Sequence, residues 1–352
     1  MSTFDALAGL ALRVDDYVLE GLQRDVSSDF TRKSTVIRLR GAGEEGVGED
    51  VTYDAEAQEI LQATGPVQPL AGEWTLGSFS SHLDTLDLFP SPPVREPSID
   101  YRRWAFESAA LDLALRQAGR SLAAVLGREP RPVTFVMSLR LGEPATIEPV
   151  RRRLESYPTL RFKLDPTNSW NEALVQELVD TGAVDSVDLK GMYKGTPVDV
   201  DADPALYAMV AEAFPDAWIE DPDLSKPELR AALDGAHDRI TWDAPIHSVE
   251  DVESLEFPPK MVNIKPSRFG PLSRLFAAYD HCDSNGIGAY GGGQFELGPG
   301  RGHIQYLASL FHPDTPNDVA PSLYNLPDPP PGLPVSPLEP MIEPIGFRWA
   351  TG

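Results

Sequence analysis

Five ionisable residues close five successive short apolar runs in the second half of the chain. Lys163 lies in LRFKLD, Asp188 in AVDSVDLKG, Glu220 in AWIEDP, Asp243 in RITWDAP and Lys265 in MVNIKP, with Lys190 and Asp221 directly beside two of the acids. Carboxylates on three adjacent strands repel one another unless a cation lies between them, and an all-oxygen donor set suits Mg2+, with Mn2+ as the alternative. The six histidines are scattered and the one cysteine, Cys282, cannot build a thiolate site, which speaks against zinc. On spacing alone a second reading stays open, in which these acids form surface salt bridges with neighbouring Lys and Arg.

Such residues act together only if the chain brings their strands side by side. From Pro132 onward each short strand is followed by a helical stretch, the signature of parallel β/α units. Seven such units and a weaker eighth, NDVAPSLYN, predict an α/β fold of the (β/α)-barrel type, in which the strand C-termini share one mouth. An open dinucleotide-binding sheet is set aside, because MSLRLGEPATIE has no GxGxxG after the first strand.

The N-terminal part reads as α+β. Residues 13–53 predict an antiparallel sheet with a long polar connection beginning at Gln23, whose Arg24 and Phe30 are candidates for a flap over the site. Residues 55–127 read as mostly helical, most clearly YRRWAFESAALDLALRQAGRSLAAVLG. The expected division is therefore an α+β domain over 1–130, a barrel over 131–321 and a Pro-rich segment over 322–352. The apolar ending MIEPIGFRW predicts that this last segment docks back on the first domain.

With 352 residues, 41% of them hydrophobic, the chain can bury a sizeable core. A net charge of -24 argues against nucleic acid and anionic membranes as partners. The N-terminus has no basic start followed by an apolar stretch, and no apolar run is long enough to span a bilayer. A soluble, cytoplasmic protein is expected, with a homo-oligomer as the default assembly.

Taken together, Gly48-Glu49, the helix ESAALDLALRQ, Arg161-Phe162-Lys163, Asp188, Glu220-Asp221-Pro222, Asp243 and the run Lys265 to Gly270 resemble the enolase superfamily. The likeness is to its muconate-lactonizing and o-succinylbenzoate-synthase branch, and the intervals of 23 residues from Glu220 to Asp243 and 22 from Asp243 to Lys265 fit it. The resemblance implies a capping domain over a modified TIM barrel, with Mg2+ on Asp188, Glu220 and Asp243. It implies that Lys163 and Lys265 face opposite sides of a small-molecule carboxylate and abstract the proton α to it, through an enediolate. Arg161 or Lys190 would supply the cation that lowers the proton affinity of Lys163. Glu296 would lie near Lys265, and the start of a helix after Gly302, with Arg301, would hold a substrate carboxylate.

The outcome would be β-elimination, as in an o-succinylbenzoate synthase-like lyase, or racemisation or epimerisation of an N-acylamino acid or similar substrate. Cycloisomerisation of the muconate-lactonizing type is one alternative, and a non-catalytic relative that binds a ligand is another. Several positions depart from the family pattern. Asp188-Leu-Lys190 replaces D-A-N, Arg161 stands for a lysine, and Asp318-Val-Ala320 replaces the D-x-D of dipeptide epimerases. No histidine ends the seventh strand.

Overall fold

A computed structural model of the protein describes residues 2–26, 30–196 and 200–350. Its N-terminal unit is built on a three-stranded meander of β2 (Asp16–Val26), β3 (Phe30–Gly41) and β4 (Glu44–Asp50), beside a small antiparallel pair of β1 (Ala11–Val14) and β5 (Gly72–Thr75). The expected long connection after Gln23 does not exist as a loop. β2 and β3 stay paired through it, with Arg24 opposite Arg32 and Val26 opposite Phe30. The polar residues there alternate between the two faces, so the period of two survives although the composition looks like a loop. Residues 27–29, which fall within the expected connection, lie outside the described residues. Likewise, Gly72–Thr75 is strand within a stretch expected to be helical.

The helix Ser98–Gln117 packs along β4, and two glycines permit it. A Cβ on Gly46 would lie 2.2 Å from the Ala109 carbonyl oxygen, and one on Gly48 would lie 2.0 Å from that of Ala105. Backbone therefore meets backbone with no side chain between, and the helix is buried from Tyr101 to Leu115 between the sheet and the second unit.

That second unit is the barrel. Five parallel strands run in order β6 (Met137–Leu139), β7 (Phe162–Leu164), β8 (Val184–Asp188), β9 (Trp218–Glu220) and β10 (Ile240–Thr241), and β11 (Met261–Ile264) pairs with β12 (Gly288–Gly291). Narrower joins complete the ring. Asn263 donates its N–H to the Trp242 carbonyl at 2.9 Å, and single parallel bridges link Gly292 to Asp318 and Asn317 to Phe135. Helices from Glu148–Ser156 round to Pro299–Phe311 cover the outside. No helix among the described residues is long and apolar enough to cross a membrane.

The Pro-rich segment touches both units. Leu338 bridges Val133 beside the first barrel strand, while Phe347 donates its N–H to Asp112 at 2.8 Å and Arg348 reaches the same carboxylate at 2.7 Å. Asp112 is fully buried and also accepts from Val47 N–H and Arg116. Phe347 stacks on His303, whose two ring nitrogens are buried without hydrogen-bond partners among the described residues. Burial pushes the His303 pKa down to about 4, with Asp112 pulling up and Arg348 and Arg116 pushing down.

In the unfolded chain this imidazole takes its proton near pH 6.5, whereas the folded one stays neutral until about 4. Its share of stability is therefore complete above 6.5 and is lost as the pH falls towards 4, amounting to roughly 3 kcal/mol. His303→Phe should flatten the acid limb of the stability curve by about that much in urea titrations between pH 7 and 4. An unchanged limb would mean that His303 is protonated in the fold.

Candidate active site

The three expected acids converge. Asp188 and Glu220 sit at the C-terminal ends of β8 and β9, opposite one another in the ladder, and Asp243 follows β10. All three are fully buried, with an oxygen of each within 4.8 Å of the others. Burial at the mouth of the barrel removes the reading of these residues as surface salt bridges.

The lysines flank this group. Lys163 on β7 is 1% exposed, lies 3.1 Å from Asp188 and is bonded to Glu220. Lys265 follows β11 and donates to Asp243 Oδ2 at 2.8 Å. Lys190, held in the left-handed region at φ 54, bonds the same Asp188 oxygen that faces Lys163 and stands 3.7 Å from Asp165. Arg268, from the run that follows Lys265, bonds the Asp243 carbonyl and lies 3.1 Å from its Oδ1.

These charges split the acids. Burial alone would raise all three, but Lys190 and Lys163 hold Asp188 well below the usual carboxylate range, and Arg268 and Lys265 do the same for Asp243. Glu220 goes the other way, because burial outweighs the Lys163 ammonium and the charges of Asp188 and Asp243 add to the rise. Burial likewise disfavours the Lys163 ammonium, yet Glu220 and Asp188 together hold its pKa well above that of a free lysine. Packing three acids together therefore leaves one of them resisting ionisation, a conflict that a dication between them resolves.

The donor set fits a hard divalent metal: three buried carboxylates with no sulfur and no imidazole, an oxygen of each lying within 4.8 Å of the others. The group can hold such an ion.

Asp221, fully buried at φ 49, does not face the others. Its two oxygens accept the N–H groups of Asp243 at 2.8 Å and Ala244 at 2.9 Å, so it fixes the backbone that carries Asp243. Burial, then the charges of Asp243 and Asp188, push its pKa up to about 7. Asp221→Asn would set an amide donor against one of those N–H groups. It should weaken metal binding by about 10- to 100-fold in a calorimetric titration, as changes to the supports of metal ligands do. Unchanged affinity would count against this supporting role.

Other expected residues end elsewhere. Arg161 does not touch the acids: it bonds Asp185, the extra residue that β8 carries where the ladder shifts register, and the Gly182 carbonyl. Of the two cations proposed for Lys163, only Lys190 shares its environment. Glu296 makes no ion pair with Lys265; it accepts from Gln294 N–H at 2.6 Å and faces Arg301 at 3.0 Å. The following helix starts at Pro299, before Gly302, and the carboxylate at its start belongs to the protein. Glu49 of β4 accepts from Leu297, Gly298 and Gly300 N–H at 2.7–3.0 Å. Arg24 lies on the β2–β3 hairpin with Nη1 buried and unpartnered among the described residues, and Phe30 packs edge-on against Phe295 at 5.7 Å.

Three site residues were not singled out from sequence. Tyr193 joins Asp243 and Arg268 at 2.9 Å each, Tyr290 donates to Glu220, and Asp165 lies by Lys190. Asp165 is a strand-end acid like the others and carried the same signal. The tyrosines carried none, since their partners are 50 and 70 residues away.

Comparison with known proteins agrees with this architecture. The chain is 28% identical over 228 residues to o-succinylbenzoate synthase of Bacillus subtilis, a match covering 61% of this chain and 58% of that protein. It is also 28% identical over 315 residues to N-succinylamino acid racemase of Thermus thermophilus, covering 82% and 78%. The fold superposes on an enolase-superfamily member from Listeria innocua with TM-score 0.64 at 20% identity, over 88% of this chain and 86% of that one. Residues 5–125 and 129–326 match the N- and C-terminal domains of a family described as domain of unknown function DUF8230. The chain therefore belongs to that family, and its two domains form the capping unit and barrel of the enolase-superfamily fold.

Proposed function

We propose that the protein is a Mg2+-dependent enzyme that moves the proton α to the carboxylate of a small molecule, as a lyase or a racemase. One observation carries this reading: a buried triad of acids is flanked by two buried lysines, each bonded to a different member of the triad. Relatives named for o-succinylbenzoate and for N-succinylamino acids support a carboxylate substrate.

Asp188, Glu220 and Asp243 would hold the metal, which supplies positive charge to the substrate carboxylate and so stabilises the negative charge that develops there. Lys163 and Lys265 reach the mouth from β7 and from the end of β11, so a substrate between them meets an amine on either side. One takes the α-proton. The other returns a proton to the opposite face in racemisation, or steadies the developing charge as an ammonium in elimination. Lys190 stays beside Lys163 as a cation that disfavours a second ammonium nearby. Tyr193 and Arg268 keep Asp243 oriented.

The test is α-proton exchange into deuterated water, followed by NMR over a panel of N-acylamino acids and succinyl-bearing acids. Exchange that requires Mg2+ and stops with a chelator is expected. Exchange that persists in the chelator, or none on any carboxylate, would count against the reading.

A further inference from the structure

The capping unit grips one barrel loop from two sides with opposite charges. Arg32 of β3 donates to the carbonyls of Gln294 at 3.0 Å and Phe295 at 3.3 Å, while Glu49 of β4 accepts the N–H groups of Leu297, Gly298 and Gly300. Both side chains are fully buried. Ser34 steadies Glu49 at 2.7 Å, and the Val51 and Thr52 carbonyls steady Arg32.

The gripped loop needs an outside hold. It opens with Gly292, which a single bridge ties to Asp318, and Gly293, and Phe295 sits at φ 54, a conformation a bulky residue keeps only when its surroundings impose it. At its near end the loop backs a site lysine. A Cβ on Gly292 would fall 2.6 Å from Lys265 Cε and 3.0 Å from Asn263 Oδ1, so bare backbone lies against the lysine stem.

We propose that Arg32 and Glu49 are positioning residues, which hold the loop after β12 so that Gly292 keeps the Lys265 ammonium on Asp243. The capping unit thus sets the aim of a barrel lysine through the loop behind it. This rests on the reading of Lys265 as a proton-transfer group, and the experiment separates the two.

Glu49→Gln keeps the shape and one acceptor, and Arg32→Lys tests the other side of the grip independently. In the full-length protein with Mg2+, amide hydrogen exchange over 292–302 should rise about tenfold in Glu49→Gln, while β7 to β10 stay protected. Acetylation of Lys265 by acetic anhydride, read by mass spectrometry, should accelerate about fivefold, with Lys163 unchanged. On a substrate that exchanges, kcat should fall about tenfold with little change in KM, and Arg32→Lys should shift each readout the same way.

A loosened loop with Lys265 acetylated at the wild-type rate would overturn the proposal, as would loosening spread evenly over the barrel. A wild type that exchanges no α-proton would overturn the reading of Lys265 as a base. Acetylation alone would then judge the grip, faster labelling upholding it and unchanged labelling ending it.

Discussion

Replacing Lys265 with methionine is expected to lower α-proton exchange by about a thousandfold while leaving metal binding intact, because the group lost is a proton carrier and not a ligand. Lys265 is 7% exposed and its ammonium lies 2.8 Å from Asp243. Its removal leaves that acid to Arg268 and Tyr193 and takes one competing cation from the metal site. Methionine keeps most of the stem that packs on Gly292. Alanine would leave a gap there and add a cavity cost to that of breaking the buried pair, which is about 3 kcal/mol by itself. Two measurements decide the matter: deuterium incorporation into substrate, and the rise in melting temperature on adding MgCl2. Exchange within tenfold of wild type would assign the chemistry to another group.

Glu220→Gln should have the opposite signature, losing the metal first and the chemistry as a consequence. Glu220 is the central acid, opposite Asp188 on one side and followed across the ladder by Asp243 on the other. Glutamine still accepts from Tyr290, so the barrel should fold, but one of three negative donors is gone. At a concentration 100 times its Kd, Mg2+ should stabilise the wild type by about 2.7 kcal/mol. Under the same conditions the variant should gain almost nothing. A thermal-denaturation titration from micromolar to millimolar MgCl2 reads both proteins at once, and equal responses would mean that the ion binds elsewhere. The pair of variants is informative together: one uncouples chemistry from metal, the other removes both.

The parts of the site that sequence displayed were those tied to strand ends. Asp188, Glu220, Asp243, Lys163 and Lys265 each close an apolar run, and a parallel barrel gathers such ends at one mouth whatever the loops do. What stayed hidden depended on register or on distant partners. Arg161 is two residues from Lys163 and should share its face, yet its guanidinium goes to Asp185 and the Gly182 carbonyl. The polar run from Gln23 to Lys33 reads as a loop by composition, and only the pairing of Arg24 with Arg32 reveals a hairpin. Glu49 reads as the end of a cap strand, and nothing local says that it fills the helix start at Pro299, about 250 residues on. A substrate carboxylate was expected at a helix start after Gly302; the helix starts at Pro299 and the carboxylate there is that of Glu49.

Asp112 has a consequence for the order in which the molecule is made. Its carboxylate sits at the centre of the cap helix and takes donors from Val47 and Arg116, but its remaining donors, Phe347 and Arg348, lie 235 and 236 residues downstream. During synthesis the cap sheet and helix precede these two donors, so Asp112 then has Val47 and Arg116 as its partners. A buried carboxylate short of partners is costly, so the packing around Asp112 is complete only once Phe347 and Arg348 have docked. The segment that carries Phe347 and Arg348 acts as a closing stitch, joining the buried acid of the cap helix to His303 of the barrel.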